Sequence, residues 1–327
     1  GDSMRRIFID DRVRGIAKSF KIFLEKGLSS KYKSPKKHLG ELANNPLLSL
    51  KQQQYVKLII NEWDNLIVME PPFDNTIKKF ETLFPADKIS TEQFGIDSKS
   101  SKFLYKEIVE AMRYDYVQES VYPKIINQLG IKTCVYCNAQ YAFSYDNGRN
   151  SFRNYEIDHW MPKSKYPYLC TSFFNLQPSC PKCNKSKSNK DDILPFCLFT
   201  NDKSKLDPFD FSILHVSCAQ YLATHDRDML RIIFSSKEQG LKDNMDALFH
   251  ISTQYQAHKE MVEELIWKKQ IYNSTFLDIY KDSFKQLGFK QTDFNRFILS
   301  NYDKDEDILK RPFAKIVQDI AKQLGII

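Results

Sequence analysis

Two Cys-x-x-Cys pairs constrain this chain more strongly than any other feature of its sequence. The first pair is Cys134 with Cys137, and the second is Cys180 with Cys183. Four thiolates from two such pairs suit the tetrahedral coordination of a closed, structural zinc site. One pair alone would be weak support, but these two bracket the aspartate–histidine dipeptide at 158–159. We therefore predict a four-cysteine zinc site, with four buried, unligated thiols as the simpler alternative.

Length and composition indicate a soluble protein of two or three domains. The chain has 327 residues, of which 42% are hydrophobic and 13% aromatic, enough for a substantial core. Since no apolar run approaches the ~20 residues of a membrane span, we expect no membrane partner. Four of the seven cysteines lie in metal-type pairs rather than in a disulfide pattern. This usage fits a reducing compartment, so we expect a cytoplasmic protein.

Positive charge is concentrated around the second cysteine pair. The net charge of the chain is +7, and residues 160–190 contain six lysines and no acidic residue. A basic stripe beside a metal site is typical of a protein that binds nucleic acid. A solvated lysine face is the simpler interpretation of such a run. Because the run lies inside the cysteine-bracketed segment, we predict phosphate contacts by Lys163, Lys165 and Lys187.

Apolar residues at helical spacing predict helices on both sides of this segment. Before it, they predict helices over residues 5–26, 47–69 and 101–129. After it, they predict helices over residues 241–251, 261–280, 294–299 and 308–324. Gly130 supplies a C-terminal stop for the helix that precedes the first cysteine pair. The N-terminal half carries no residue pattern of catalytic type, and its apolar stripes are interpreted as core.

Within the segment, the pattern changes to short strands followed by one helix. Alternation over residues 141–145 and the Asp-Asn-Gly sequence at 146–148 predict a hairpin whose return strand covers 151–160. A second short strand is predicted over 173–177. A helix is predicted to begin near Pro181 and to run to about residue 190, because proline suits a first helical turn.

The polar residues of the segment match what hydrolysis of a phosphodiester requires. The attacking water must lose a proton, which a histidine such as His159 accepts near neutral pH. The departing oxygen gains negative charge, which a hard divalent cation on oxygen ligands neutralises. Asp158 and Asn184 offer oxygens suited to Mg²⁺ or Mn²⁺. Neighbours on a strand point to opposite faces, so Asp158 and His159 can serve different atoms.

Each of these residues also has a simpler interpretation. His159 could be a hydrogen-bonded core histidine, and Asn184 could cap the helix that follows the second cysteine pair. Glu156 lies two residues before Asp158 on the same strand face, and we interpret it as structural rather than as a metal ligand.

The combined pattern resembles that of the HNH endonuclease superfamily, whose core is a ββα-metal finger. The matching residues are Asp-His at 158–159, Asn175, and the run Cys-x-x-Cys-Asn-x-x-Lys that ends at Lys187. The resemblance implies that His159 is the general base and that Asp158 and Asn184 hold the metal. It further implies that Asn175 orders the loop that positions the base, with a direct phosphate contact as the alternative. The final position is asparagine rather than histidine, an H-N-N version of the pattern.

These patterns together predict a mainly α protein with a small α+β insert. The predicted parts are a helical region over 4–129, a nuclease core with the four-cysteine zinc site over 130–200, and a second helical region over 201–327. In the core, the zinc site staples the ββα-metal finger.

Longer runs around the motif are similar to the HNH nucleases of bacterial anti-phage systems of the Septu type. These runs are Asp-His-Trp-Met-Pro-Lys-Ser-Lys-Tyr-Pro and Phe-Phe-Asn-Leu-Gln-Pro-Ser-Cys-Pro-Lys-Cys-Asn. The resemblance implies an antiviral endonuclease that cuts DNA beside an ABC- or AAA-like ATPase partner. Two alternatives stay open: a nuclease directed at RNA such as tRNA, and a zinc-bound nucleic-acid or partner-binding module without catalysis.

Overall fold

Helices make up most of the N-terminal part of the chain. The computed structural model describes residues 4–97, 99–148, 150–188, 190 and 192–327. The N-terminal elements are β1 (Ile7–Phe8), α1 (Asp11–Lys26), α2 (Pro35–Ala43), α3 (Leu50–Leu66), α4 (Asp74–Glu81), α5 (Ala86–Ile89), β2 (Gln93–Phe94), β3 (Lys102–Phe103), α6 (Leu104–Ala111), α7 (Tyr114–Tyr116) and α8 (Tyr122–Leu129). Helix α1 starts where the Asp10 carboxylate accepts a hydrogen bond from the Val13 amide at 2.8 Å. Such a cap satisfies an amide that the helix itself leaves unpaired.

Short strands and one helix form the middle of the chain. They are β4 (Ser144–Asp146), β5 (Ser151–Arg153), β6 (Glu156–His159), β7 (Leu176–Ser179), α9 (Pro181–Ser188) and β8 (Phe199–Thr200). Strands β6 and β7 are antiparallel, with Asp158 opposite Gln177 and His159 opposite Leu176. Since α9 follows β7 directly, these three elements form a ββα unit.

The C-terminal part is again mainly helical. Its elements are β9 (Phe209–Ile213), α10 (His215–Thr224), β10 (Ile232–Ser236), α11 (Leu241–Phe249), α12 (Ile251–Gln256), α13 (Lys259–Ile271), α14 (Ser274–Gln286), α15 (Gln291–Leu299) and α16 (Ala314–Gln323). The antiparallel pairing of β9 with β10, which α10 separates in the sequence, was not predicted. The mainly α fold with a small α+β insert is confirmed. No helix in the described ranges is long and apolar enough to cross a membrane.

Several predicted boundaries in the first two parts are wrong. The strand predicted over 173–177 is a 3₁₀ turn over Phe173–Asn175 followed by β7. The first helix begins at Asp11, because Ile7 and Phe8 instead pair with β8 as a parallel strand. The long helix over 101–129 is divided into α6, α7, a π-helical turn and α8, and Arg113 interrupts it with a φ of +59°. The return strand over 151–160 is two strands, since β5 pairs with β4 whereas β6 pairs with β7. The predicted end of α9 near 190 falls beside residues outside the described part.

The short segment 134–138 connects the N-terminal and C-terminal parts to the ββα unit. The Met4 amide donates to the Val135 carbonyl at 3.2 Å, and the Tyr255 hydroxyl donates to the Cys137 carbonyl at 2.6 Å. Asn138 caps α16, because its Oδ1 accepts from the Lys315 amide at 3.0 Å. One cluster of buried hydrophobic side chains runs through all three parts of the chain. The domain limits at 130 and 200 stay a prediction, and among the described residues the core continues across both limits.

Candidate active site

The four cysteines of the two Cys-x-x-Cys pairs meet in one buried cluster. Their Sγ atoms all lie within 4.8 Å of one another, and the sulfurs of Cys137 and Cys180 are 4.0 Å apart. Zn–S bonds of about 2.3 Å in a tetrahedron hold the sulfurs roughly 3.8 Å apart, close to this spacing. None of the four is part of a disulfide. The cluster therefore fits a structural zinc ion, with all four positions filled by protein sulfur.

Tyr136, inside the first cysteine pair, links this cluster to Asp158. The tyrosine is buried and stacks on Phe249 with the ring centroids 4.5 Å apart. Its hydroxyl donates to the Asp158 carboxylate and accepts from Gln177 Nε2 at 2.7 Å. Residues between paired cysteines carry no distinctive pattern, so the sequence did not indicate this contact. A metal that fixes the loop thus also fixes the carboxylate.

Asp158 and Lys187 form a buried ion pair between β6 and α9. The Lys187 ammonium lies 2.9 and 2.7 Å from the two carboxylate oxygens, and it also donates to the His159 carbonyl. Only 4% of the lysine side chain and 9% of the aspartate side chain are exposed. Burial raises the pKa of Asp158, and the charge of Lys187 opposes that rise. The Lys187 ammonium thus binds groups inside the protein. The phosphate contact expected of Lys187 stays a prediction.

Asn184 lies one helical turn before Lys187 and contacts the other end of β6. Its amide nitrogen donates to the Glu156 carboxylate. Helix α9 is therefore joined to alternate positions of the strand, Glu156 and Asp158, by two side chains three residues apart. The sequence pattern located Asn184, but it did not indicate Glu156 as its neighbour.

Asp158, His159 and Asn184 line one cavity of about 270 Å³. The Asp158 carboxylate accepts from Tyr136 and from Lys187, and the His159 amide is a further donor to it. These donors fix the position of a carboxylate that lines the cavity. The oxygens of Asp158 and Asn184 suit a hard divalent cation, which prefers carboxylate and amide oxygen.

His159 contacts different elements from Asp158, as expected for neighbours on a strand. Its Nε2 lies 2.9 Å from the carbonyl oxygen of Cys170. A carbonyl only accepts, so Nε2 carries the proton and Nδ1 holds the free lone pair. Burial, followed by the charge of Lys163, lowers the pKa of His159 to about 3. The ring is therefore neutral at neutral pH and presents one nitrogen that can accept a proton.

Asn175 ties together the loop that follows His159. Its Oδ1 accepts from the Met161 amide at 2.8 Å. Its Nδ2 donates to the carbonyls of Met161 at 3.1 Å and Leu169 at 3.0 Å. The side chain is fully buried. This position agrees with the expected role of Asn175 in ordering the loop, and that role stays a prediction. The buried side chain has no exposed surface for contact with a phosphate.

The other two predicted lysines differ in their positions. The Lys163 ammonium lies 4.6 Å from the centroid of the Tyr114 ring, beside the cavity, and burial lowers its pKa. Lys165 instead pairs with Asp87 of helix α5 at 3.2 Å. Tyr114 also packs on the His159 ring, with centroids 4.7 Å apart. The N-terminal helices thus build one wall of the site, and helical spacing alone could not separate Tyr114 from ordinary core residues.

Comparison with protein families identifies the class of this segment. Residues 134–190 match the sequence model of the family described as HNH endonuclease. This span contains both cysteine pairs, β6, β7 and α9. The resemblance to the HNH endonucleases is confirmed for this part of the chain.

The chain is also similar to a particular protein. The Septu protein PtuB of Bacillus thuringiensis is 34% identical over 58 residues, which cover 18% of this chain and 20% of PtuB. The chain thus aligns with about one fifth of the length of that relative. The resemblance to the Septu nuclease is confirmed at this level. No solved structure matches the chain.

Replacing Cys180 with serine tests the zinc cluster. The wild-type protein should contain about one zinc per chain, and Cys180→Ser should lose it and unfold at a lower temperature, because zinc binding contributes to folding. Cys218→Ser is the matched control, since Cys218 lies outside the cluster and is only half buried. Zinc content by elemental analysis and thermal unfolding measure both effects. Equal zinc content in Cys180→Ser and wild type would contradict the assignment.

Proposed function

We propose that this chain is a metal-dependent endonuclease of the HNH type that hydrolyses phosphodiester bonds, with DNA as the expected substrate. One observation carries the proposal. His159, with Nδ1 unprotonated, lines the same cavity as the oxygen donors of Asp158 and Asn184. A base and a hard-cation site in one cavity are what hydrolysis of a phosphodiester requires.

His159 acts as the general base in the proposed reaction. Its Nδ1 takes a proton from water while the water oxygen forms a bond to phosphorus. The bond between phosphorus and the 3′ oxygen then breaks, and the departing oxygen takes a proton from solvent, which leaves a 5′-phosphate and a 3′-hydroxyl. The Nε2–H bond to the Cys170 carbonyl stabilises the positive charge that the ring acquires. Asn175 forms hydrogen bonds to the loop between this carbonyl and the ring, and so keeps the two in position.

Asp158 and Asn184 would hold Mg²⁺ or Mn²⁺, which when bound neutralises charge on the phosphate and the departing oxygen. Tyr136 and Lys187 hold the Asp158 carboxylate in place beside the cavity. Because burial alone would favour the neutral acid, the lysine also helps to keep this carboxylate charged. Zinc has a separate, structural role on the four cysteines.

Replacing His159 tests the catalytic assignment. His159→Ala should lower the rate of DNA cleavage in Mg²⁺ or Mn²⁺ by at least about 10²-fold, the usual contribution of a general base. Zinc content and the unfolding temperature should stay close to wild type. His215→Ala is the control, because that histidine is exposed and distant from the motif in sequence.

Replacing Asn184 tests the metal ligand. In Asn184→Ala, half-maximal cleavage should need about tenfold more Mg²⁺, a loss of metal affinity of the size found when groups that support a metal ligand are removed.

The substrate panel contains duplex DNA, single-stranded DNA and total RNA including tRNA. Cleavage of RNA alone would replace the DNA assignment with an RNA-directed nuclease. Binding of nucleic acid without cleavage in either metal would favour the catalytically inactive module. Wild-type rates in His159→Ala would show that another group is the base.

We further infer that the nuclease serves in bacterial anti-phage defence beside an ABC- or AAA-like ATPase. The likeness to the Septu protein PtuB supports this inference. The helical regions before residue 130 and after residue 200 exceed what a ββα site needs, which leaves surface for a partner. This partner is inferred by analogy with the Septu systems.

Expression from the native gene neighbourhood tests the partner. A tagged chain should retain an ATPase subunit through affinity purification and size-exclusion chromatography. His159→Ala should retain it equally, because its substitution lies inside the cavity. Full protection against phage by the chain alone, with no co-purifying ATPase, would contradict the inference.

A further inference from the structure

A second cavity adjoins the one that contains His159. Its volume is about 440 Å³, and it shares Ile157, Lys163 and Asn184 with the first cavity. The shared residues include Asn184, a candidate metal ligand on α9, and Ile157, which precedes Asp158 on β6. A polymeric substrate with one phosphate in the first cavity extends beyond it on both sides. The second cavity is the adjoining space into which one side can continue.

Two cationic side chains line this second cavity, Arg153 and Lys163. Arg153 ends β5, and its Nη1 donates to the Gln118 carbonyl. Within the ranges the structure describes, neither cation forms an ion pair with a carboxylate. A guanidinium has five N–H donors, so most of those of Arg153 are available to a ligand. Glu156 also lines the cavity, but its carboxylate accepts from Asn184.

Lys163 is partly buried. Burial lowers its pKa, and its near contact is the face of the Tyr114 ring at 4.6 Å. A partly desolvated cation without a carboxylate partner is costly unless an anion pairs with it. The position of Lys163 on the wall of both cavities puts that anion at their junction.

We propose that the second cavity is a phosphate subsite, where Arg153 and Lys163 bind the phosphate next to the one that is cleaved. The subsite rests on the proposed nuclease function and adds the direction in which the substrate strand leaves the reaction centre. The planar fork of arginine binds phosphate through two parallel hydrogen bonds. Lys163 bridges the two successive phosphates from the shared wall. Arg153 lies outside the Asp-His and Cys-Asn patterns, so no motif indicated it.

Nucleic-acid binding measured in a His159→Ala background tests the subsite without cleavage. The probe is a fluorescent single-stranded oligonucleotide titrated at several salt concentrations. Adding Arg153→Gln should weaken binding about tenfold, the loss expected for one charged hydrogen-bonded contact. The slope of log affinity against log salt should fall in magnitude by about 0.7. Arg153→Lys should keep that slope, because it keeps the charge.

Arg12→Gln is the matched control. The Arg12 guanidinium also donates to a main-chain carbonyl, that of Gln128 at 3.0 Å, but it lines neither cavity. The affinity and the salt slope of this variant should equal those of the parent. Circular dichroism and zinc content establish that each variant is folded.

Neutral phosphates locate the contact along the strand. In the parent, a methylphosphonate at the phosphate next to the cleaved one should weaken binding about tenfold. In Arg153→Gln the same replacement should have little further effect, because the two changes remove one interaction. Equal losses in both proteins at every position, or an equal effect of Arg12→Gln, would overturn the subsite while the nuclease proposal stands. Failure of the parent to bind DNA or RNA would overturn both.

Discussion

The cluster of four cysteine sulfurs is the constraint on which the rest of the site depends. It joins the loop 134–137 to the point where β7 turns into α9, two segments far apart in the sequence. Four buried thiolates repel one another unless a cation lies between them, so a metal ion bound here would stabilise the join. From this join, Tyr136 reaches Asp158 and Asn138 caps α16. The cysteine cluster thus helps to position both the Asp158 carboxylate and the start of α16.

Polar contacts, rather than apolar packing, set the position of α9 on β6. Asn184 bonds Glu156, and Lys187 pairs with Asp158 in the protein interior. A buried ion pair is a poor source of stability, because desolvation offsets much of the attraction between the charges. Burial raises the pKa of Asp158, and the charge of Lys187 opposes that rise. In the proposed mechanism, the carboxylate and the neutral histidine are adjacent residues with different surroundings.

Local chemistry explains which features could be predicted from the sequence. The cysteine pairs, the ββα unit and the grouping of Asp158 with His159 and Asn184 depend on short spacings, and these were predicted. The partners of Tyr136, Tyr114 and Lys187 depend on tertiary contacts that no spacing encodes. The break of the helix at Arg113 depends on a left-handed backbone in a residue that ordinarily continues a helix. Apolar periodicity also missed the pairing of β9 with β10, whose five-residue strands are too short for it to resolve.

A crystal structure of the His159→Ala protein with Mn²⁺ and a short DNA strand tests the central claim most directly. Anomalous scattering distinguishes zinc from manganese by their absorption edges. Zinc should lie among Cys134, Cys137, Cys180 and Cys183, and manganese should bind oxygens of Asp158 and Asn184 in the cavity beside position 159. Manganese bound elsewhere, with the Asp158 carboxylate still held only by its partners within the protein, would contradict the account.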